Sequence, residues 1–348
     1  MSTHVYLIAE IGCNHNGDPK LAKEMIAQAK KCGVDAVKFQ SFSASSLVSK
    51  FAEKADYQKR NMGREETQLE MLQKLELSHE DYLQLKKYAE SLNLDVFSTP
   101  FDLETIDFLK DAGQTIWKVP SGEITNLPYL RSIAQVSCPK RKFIVSSGMA
   151  TIEELKSCIA VLRESGVNSK EITLLHCNTE YPTPDTDVNI TAICDLRRSF
   201  PGLNIGFSDH SVGSVAAIEA VALGVSVIEK HFTLDKALSG PDHVASSTPD
   251  ELRALCKDVR RAEAMLGHGC KIVTKSEAKN KNAARKSIVA SRKIKKGETF
   301  TNANLACKRP GYGISPMLWD ELCGLTAQRD FSEDELIIQN GFPWQEQS

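Results

Sequence analysis

The fold is indicated by three consecutive stretches, VYLIAEIG at residues 5–12, PKLAKEMIAQAKKC at 19–32 and VDAVKFQ at 34–40. The first and third are short, apolar and rich in β-branched residues, as buried strands are. The second has apolar residues at helical spacing and is followed by Gly33, a common helix stop. Together they predict two parallel strands joined by a crossover helix.

The same alternation of strand and helix continues through the first three quarters of the chain. Six more strands are predicted at 95–100, 116–122, 142–148, 171–177, 204–210 and 226–232. Further helices are predicted at 79–92, 103–112, 127–136, 151–165, 188–199, 213–223 and 249–266. Eight such units predict an α/β fold of the (β/α)8 TIM-barrel type. A doubly wound open sheet is the alternative, although no G-x-G-x-x-G follows the first strand.

The composition divides the chain into three parts. We assign residues 1–267 to the barrel, 268–285 to a basic linker and 286–348 to a small compact module with short strands. Within the barrel, the long charged stretch 41–78 is predicted to carry its own short helix over the barrel mouth.

Charge and cysteine usage exclude several classes of protein. The 43 Lys and Arg residues nearly balance the 45 Asp and Glu residues, so no overall field favours nucleic acid or an anionic membrane. No apolar run approaches the roughly 18 residues that span a bilayer. The 10 cysteines form no C-x-x-C pair, which indicates reduced thiols. We therefore expect a cytoplasmic protein that binds neither nucleic acid nor membrane.

Two lysines lie within otherwise apolar strands, Lys38 and Lys118. A buried ammonium needs an anionic partner. A structural interpretation pairs these lysines with Glu10 and Glu123. Hydroxyl side chains also occur at the strand ends, namely Thr99, Ser121, Ser146 and Ser208. Because TIM-barrel sites lie at the carboxyl ends of the strands, lysines and hydroxyls together favour a small phosphorylated acid as ligand.

His210 and His231 end the seventh and eighth strands, with Asp209, Glu229 and Asp242 nearby. Neighbouring strand ends place the two imidazoles close together, which predicts a metal site with open positions. With two imidazoles and no thiolate, Mn²⁺ or Mg²⁺ is a more natural ligand than structural zinc. Metal, lysines and carboxylates suggest carbon–carbon bond formation by an enol phosphate. The same residues also allow an aldolase in which Lys38 or Lys118 forms a Schiff base.

Motifs at these strand ends closely resemble the bacterial N-acetylneuraminate (sialic acid) synthase family. The matching stretches are AEIGCNHNG (9–17), VKFQ (37–40), FSTPFD (97–102), WKVPSGE (117–123), SSGM (146–149), NTEYPTP (178–184), GFSDHS (206–211), IEKHFTLD (228–235) and SGPDH (239–243). In the tail, ARKSIVA (284–290), IKKGE (294–298) and KRPGYGISP (308–316) resemble that family's antifreeze-like (SAF) domain.

The resemblance implies a complete set of site residues. His210 and His231 would bind Mn²⁺, with Mg²⁺ or Co²⁺ as substitutes. Phosphoenolpyruvate would be held by Lys38, Thr99, Lys118, Ser121, Ser146 and Ser208. The amino sugar would meet Gln40, Glu123, Tyr181, Asp242 and, from the partner subunit of a domain-swapped homodimer, Arg309. Glu10, Glu123 and Glu229 would be the catalytic carboxylates.

The implied reaction joins phosphoenolpyruvate, N-acetylmannosamine and water to give N-acetylneuraminate and phosphate, with cleavage of a C–O bond. A synthase of a related nonulosonate, legionaminic or pseudaminic acid, is the nearest alternative because the same barrel could accept a differently substituted sugar. A Schiff-base aldolase and a carbohydrate-binding protein without activity are the alternatives from other classes.

Overall fold

Eight parallel strands form one sheet that curves into a nearly closed barrel, in a computed structural model that describes residues 4–62 and 66–343. The strands are β1 (Tyr6–Gly12), β2 (Ala36–Ser41), β3 (Asp95–Pro100), β4 (Ile116–Val119), β5 (Lys142–Ser146), β6 (Ile172–Cys177), β7 (Asn204–Asp209) and β8 (Val227–His231). Their hydrogen-bonded order is β3-β2-β1-β8-β7-β6-β5-β4. The predicted (β/α)8 fold is confirmed, and the open-sheet alternative is wrong because β1 pairs with β8.

Side chains join β3 to β4, the two ends of this order. The Gln114 carboxamide accepts from the Ser98 backbone N–H at 2.7 Å and donates to the Ser98 carbonyl at 2.9 Å. The Tyr129 hydroxyl is 2.9 Å from the Pro100 carbonyl and 3.3 Å from the Lys118 carbonyl. These bonds satisfy backbone groups that would otherwise need a strand partner.

Helices cover the outside of the barrel. Those between or after the strands are α1 (Pro19–Cys32), α5 (His79–Ser91), α6 (Leu103–Asp111), α7 (Leu127–Ala134), α8 (Ile152–Glu164), α9 (Ala192–Ser199), α10 (Val215–Ala222) and α11 (Pro249–Met265). The helix predicted over 188–199 begins later, because Asn189 adopts a φ of 45° that an α-helix does not allow. Capping boxes start α8 at Thr151 and α11 at Thr248, which fixes both helix origins.

The stretch between β2 and α5, residues 42–78, holds three short helices in its described parts, 42–62 and 66–78, where the sequence predicts one. They are α2 (Ala44–Leu47), α3 (Asp56–Met62) and α4 (Gln68–Gln73). We call this stretch the β2–α5 segment. A side-chain bond from Asn61 to the Pro241 carbonyl, 2.6 Å long, ties it to the loop after β8. The segment therefore lies at the carboxyl ends of the strands.

A second compact unit begins at His268, directly after the barrel unit ends at Gly267. It contains α12 (Lys275–Ala284), the antiparallel strands β9 (Ser287–Ala290) and β10 (Leu305–Lys308), and α13 (Trp319–Leu322). The stretch interpreted as a linker, 268–285, thus includes a helix. Among the described residues, no helix is long and apolar enough to cross a membrane.

Candidate active site

The barrel lumen is organised in two layers by the alternation of side chains along each strand. The lower layer is an apolar plug to which seven strands contribute one residue each: Ile8, Ala36, Phe97, Ile116, Ile144, Leu175 and Val227. The eighth position is Gly206, where an added Cβ would lie 2.4 Å from a Leu175 methyl carbon. β7 therefore needs a glycine in this layer.

Two residues further along each strand, the upper layer is polar. Its members are Glu10, Lys38, Thr99, Lys118, Ser146, Cys177, Ser208 and Glu229. All of them line one cavity of about 630 Å³. The spacing of two residues from plug to cavity explains how eight separate strand motifs deliver side chains to one place.

Two buried ion pairs dominate the upper layer. Lys38 Nζ lies 2.8 Å from a Glu10 oxygen and 3.7 Å from Glu229. Lys118 Nζ donates to both Glu229 oxygens, at 3.0 and 3.1 Å. The structural pairing expected from the sequence is thus confirmed for Lys38 and Glu10. It is wrong for Lys118 and Glu123, since Glu229 takes that place.

These contacts separate the two glutamates chemically. Burial raises the pKa of Glu10, and its single close lysine does not offset that effect. Burial acts on Glu229 in the same direction, but Lys118 and Lys38 more than offset it and hold the pKa of Glu229 below its usual range. Glu229 is therefore the fixed anion, and Glu10 is the carboxylate better suited to accept a proton.

The loop after β6 orients His210. Its Nδ1–H donates to the Asn178 carbonyl at 2.5 Å, which leaves Nε2 free of a proton, 3.2 Å from Ser208 Oγ. The Tyr181 ring lies against it, with centroids 4.2 Å apart. Burial lowers the pKa of His210 to about 4, so the imidazole is neutral at pH 7, the form that binds metals.

His231 faces His210, with ring centroids 5.2 Å apart and planes at 70°. Within the described residues, its buried Nδ1 has no hydrogen-bond partner, and the nearest carboxylate oxygen, on Asp242, is 3.9 Å away. A buried nitrogen left in this state fits a metal ligand. No set of three or more His, Cys, Asp or Glu side chains is gathered to hold an ion in residues 4–62 and 66–343. The site therefore offers two imidazoles and leaves further positions to substrate and water.

The remaining predicted ligands are spread around the cavity. Ser121 accepts from the Gly148 N–H at 3.0 Å, and Lys38 donates to Thr99 at 3.2 Å. Gln40 donates to Glu10 at 2.9 Å and accepts from the Cys13 thiol at 3.3 Å, so both ends of its carboxamide are held. Tyr181 and Asp242 also line the cavity.

One predicted site residue of the barrel unit does not line this cavity. Glu123 is half-buried and accepts from Asn126 at 2.6 Å, away from the cavity lining. Its pKa is raised by burial. Arg309 belongs to the second unit, where its Nε donates to the Ala284 carbonyl at 3.1 Å.

Sequence reasoning missed two contributions to the site, Cys177 and Cys13. Cys177 occupies the upper-layer position of β6, whereas the neighbouring His176 points outward and bonds to the Val188 carbonyl. Cys13 holds Gln40 through its thiol. The β2–α5 segment, which the sequence placed over the barrel mouth, supplies much of the outer wall. Counting two residues from Leu175 would have selected Cys177 over His176.

A (β/α)8 barrel with buried lysines, carboxylates and paired histidines at its strand ends defines a TIM-barrel enzyme. Comparison with known families then assigns it. The NeuB family model matches residues 25–271, and the SAF domain model matches residues 285–342. The chain belongs to the NeuB family. It is a phosphoenolpyruvate-dependent transferase that forms carbon–carbon bonds. The predicted SAF domain follows the barrel in the sequence.

Several full-length relatives support this assignment. The chain is 49% identical to the N,N'-diacetyllegionaminic acid synthase of Campylobacter jejuni over 95% of this chain and 98% of the relative. It is 45% identical to the enzyme of the same name from Legionella pneumophila, over 96% and 93% of the two chains. A solved N-acetylneuraminic acid synthetase from Leptospira borgpetersenii is 31% identical, with a TM-score of 0.68 over 80% of this chain and 90% of that one.

Proposed function

We propose that this enzyme makes N,N'-diacetyllegionaminic acid by condensing phosphoenolpyruvate with a six-carbon amino sugar that carries two N-acetyl groups. This proposal rests on sequence identity: over nearly its whole length, the chain is 49% and 45% identical to two synthases of that product. N-acetylneuraminate synthesis, the product expected from the sequence, becomes the second candidate. It is supported by the 31% identity to the Leptospira protein.

Phosphoenolpyruvate would lie over the upper layer of the barrel. Lys38 and Lys118 supply ammonium donors there, and Thr99, Ser121, Ser146 and Ser208 are the hydroxyls that we assign to its phosphate and carboxylate. The lysines are already held by glutamates, so they are ordered before the substrate arrives. Ordered donors reduce the entropy lost when the enol phosphate is positioned for attack.

His210 and His231 would hold a divalent cation, which we propose to be Mn²⁺, with Mg²⁺ or Co²⁺ as substitutes. Support comes from two neutral imidazoles and from the Nδ1 of His231, which has no hydrogen-bond partner in the described part of the chain. When bound between these imidazoles, such a cation would supply Lewis-acid polarisation of the sugar aldehyde. Asn178 contributes by fixing the tautomer of His210 through its carbonyl.

In the proposed reaction, C3 of phosphoenolpyruvate attacks the aldehyde carbon, and water adds to C2. The bond between C2 and the bridging oxygen then breaks, so that oxygen leaves with phosphate. We assign Glu10 to take the proton from the attacking water, because its pKa is raised by burial. Glu229, held ionised by the lysines, keeps them in place. Gln40, Tyr181 and Asp242 are assigned to the sugar.

Glu123 and Arg309 are assigned to the sugar only through the family resemblance, because Glu123 does not line the cavity and Arg309 belongs to the second unit. For Arg309, the assignment requires a domain-swapped homodimer in which it reaches the site of the partner subunit. We further propose that the enzyme works in the cytoplasm, in line with its ten free cysteines.

The test is phosphate release from phosphoenolpyruvate with Mn²⁺ and either the 2,4-diacetamido sugar precursor or N-acetylmannosamine. We expect the diacetamido sugar to give the higher kcat/KM, and chelation with EDTA to stop release. A higher kcat/KM with N-acetylmannosamine would favour the second candidate. Phosphoenolpyruvate labelled with ¹⁸O at the bridging position should yield labelled phosphate, and unlabelled phosphate would contradict C–O cleavage.

A further inference from the structure

Helix α4 in the β2–α5 segment turns one face toward the catalytic cavity. Gln68, Met71 and Leu72 lie on this face, and Leu75 follows one turn later; all four line the cavity. Their spacing of three, four and seven residues is that of a single helical face. Leu69, in the same helix, does not line the cavity. The catalytic cavity is thus bounded on one side by an amphipathic face with one amide and three apolar side chains.

This face lies beside the part of the cavity that we assign to the sugar. Met71 and Leu75 pack with Cys13, whose thiol holds Gln40. On the neighbouring helix α3, the Tyr57 ring is 5.0 Å from that of Tyr181. Asn61, on the same helix, binds the Pro241 carbonyl, next to Asp242.

The chemistry of this wall differs from that of the upper layer of the barrel lumen. The upper layer presents ammonium, carboxylate and hydroxyl groups, which suit a phosphorylated acid. Leu47 and Val48, at the end of α2, line the same cavity, and α2 lies next to α4. Burying a sugar hydroxyl against such side chains leaves it without hydrogen bonds, which is unfavourable. An N-acyl group suits the wall better, because its methyl fits apolar contacts and its amide fits a glutamine.

We propose that the cavity-facing side of α4 binds the second N-acetyl group of the acceptor, with Leu72 and Val48 against the methyl and Gln68 bonded to the amide. This subsite rests on the proposed function. It deepens that function by naming the part of the chain that selects a di-N-acetylated sugar over a mono-N-acetylated one.

The experiment measures kcat/KM for the diacetamido sugar and for N-acetylmannosamine, with the full-length enzyme and saturating phosphoenolpyruvate. Leu72→Ala and Gln68→Ala should each lower kcat/KM for the diacetamido sugar by roughly tenfold or more, the range for losing a pocket contact. The same variants should change kcat/KM for N-acetylmannosamine by less than about threefold. Leu69→Ala is the matched control and should leave the ratio of the two values unchanged.

Equal losses with both sugars, or a change of ratio in Leu69→Ala as large as that in Leu72→Ala, would overturn the subsite. Unfolding midpoints of the variants show whether a loss comes from poor folding. Failure of the proposed function looks different, since the unmodified enzyme itself would then prefer N-acetylmannosamine.

Discussion

Lys118 on β4 and Glu229 on β8 reach each other across the barrel, with the ammonium 3.0 and 3.1 Å from the two carboxylate oxygens. Both side chains are buried, so neither charge is stabilised by bulk water. The charge of each side chain therefore keeps the other side chain ionised. Lys38, 3.7 Å from Glu229, provides a weaker second contact.

Removing one member of this pair should be more damaging than removing both. Lys118→Met leaves the Glu229 charge under-compensated, and the free energy of unfolding should fall by about 3 kcal/mol. Adding Glu229→Gln should restore part of that stability without restoring phosphate release. Urea unfolding and the phosphate assay measure the two effects. A double variant that is less stable than Lys118→Met would contradict this account.

Gly206→Ala should destabilise the barrel through its apolar plug. The new methyl would lie 2.4 Å from a Leu175 carbon and 2.8 Å from the Val227 carbonyl oxygen. Relieving the second contact requires a shift of the β8 backbone, which is unfavourable. We expect a loss of about 1–3 kcal/mol in urea unfolding. Gly122→Ala, where nothing lies within 4 Å of the added carbon, is the control and should unfold within about 0.5 kcal/mol of the parent.

Tyr129→Phe tests the junction between β3 and β4. It removes a buried hydroxyl bonded to the carbonyls of Pro100 and Lys118, and its cost should be about 1–2 kcal/mol. Hydrogen exchange of the β3 and β4 amides should accelerate more than that of β6 and β7. Uniform acceleration across all strands would mean that the hydroxyl does not act locally.

His15 should make stability depend on pH. Burial lowers its pKa to about 4, and its Nδ1 accepts from the Gly17 N–H, so the folded protein holds it neutral. The unfolded chain takes up a proton near the ordinary pKa of about 6.5, whereas the folded chain does so only near 4. Stability should therefore fall as the pH drops from about 6.5 to 4, by about 3 kcal/mol from this group.

Urea unfolding at pH 7, 5.5 and 4 measures this effect. His15→Gln should flatten the pH dependence relative to the parent, because it removes the group whose pKa differs between the folded and unfolded chains. If His15→Gln and the parent showed the same dependence of unfolding free energy on pH, His15 would not be the group responsible.

Ser246 should act as a positioning residue for Asp242. Its hydroxyl donates to the Asp242 carbonyl at 2.7 Å and accepts from Asn14 at 2.8 Å, while Asn14 also binds the Phe232 carbonyl, directly after His231. Ser246→Ala should raise the KM for the sugar by roughly tenfold, leaving the KM for phosphoenolpyruvate within about twofold. Ser246→Thr keeps the hydroxyl and should recover the sugar KM. Equal increases in both KM values would indicate general damage.

The sequence predicted the parts of this protein that follow from periodicity. Strand positions and the placement of Lys38, Lys118, His210 and His231 at one mouth follow from alternation, because parallel strands of a barrel point the same way. The partner of Lys118 could not be predicted. It depends on which strand lies across the barrel, a relation between residues 111 positions apart.

The β2–α5 segment was the least predictable region. Its helices α2 and α4 are only 4 and 6 residues long, too short for periodicity to identify reliably. Their cavity-facing residues carry no sequence motif, since Leu72 and Val48 are ordinary apolar residues. Only their folded position makes them part of the site.

The two-layer lumen has a further consequence for how this enzyme could diverge. The reacting groups are carried on strands, where inserting or deleting one residue would turn every later side chain to the other face of the sheet. The subsite that we propose for the second N-acetyl group is carried on a connection between β2 and α5, where length and sequence can vary without disturbing that alternation. The reacting groups and this proposed subsite therefore lie on separate stretches of the chain, so the connection can change while the strands that carry the reacting groups are kept.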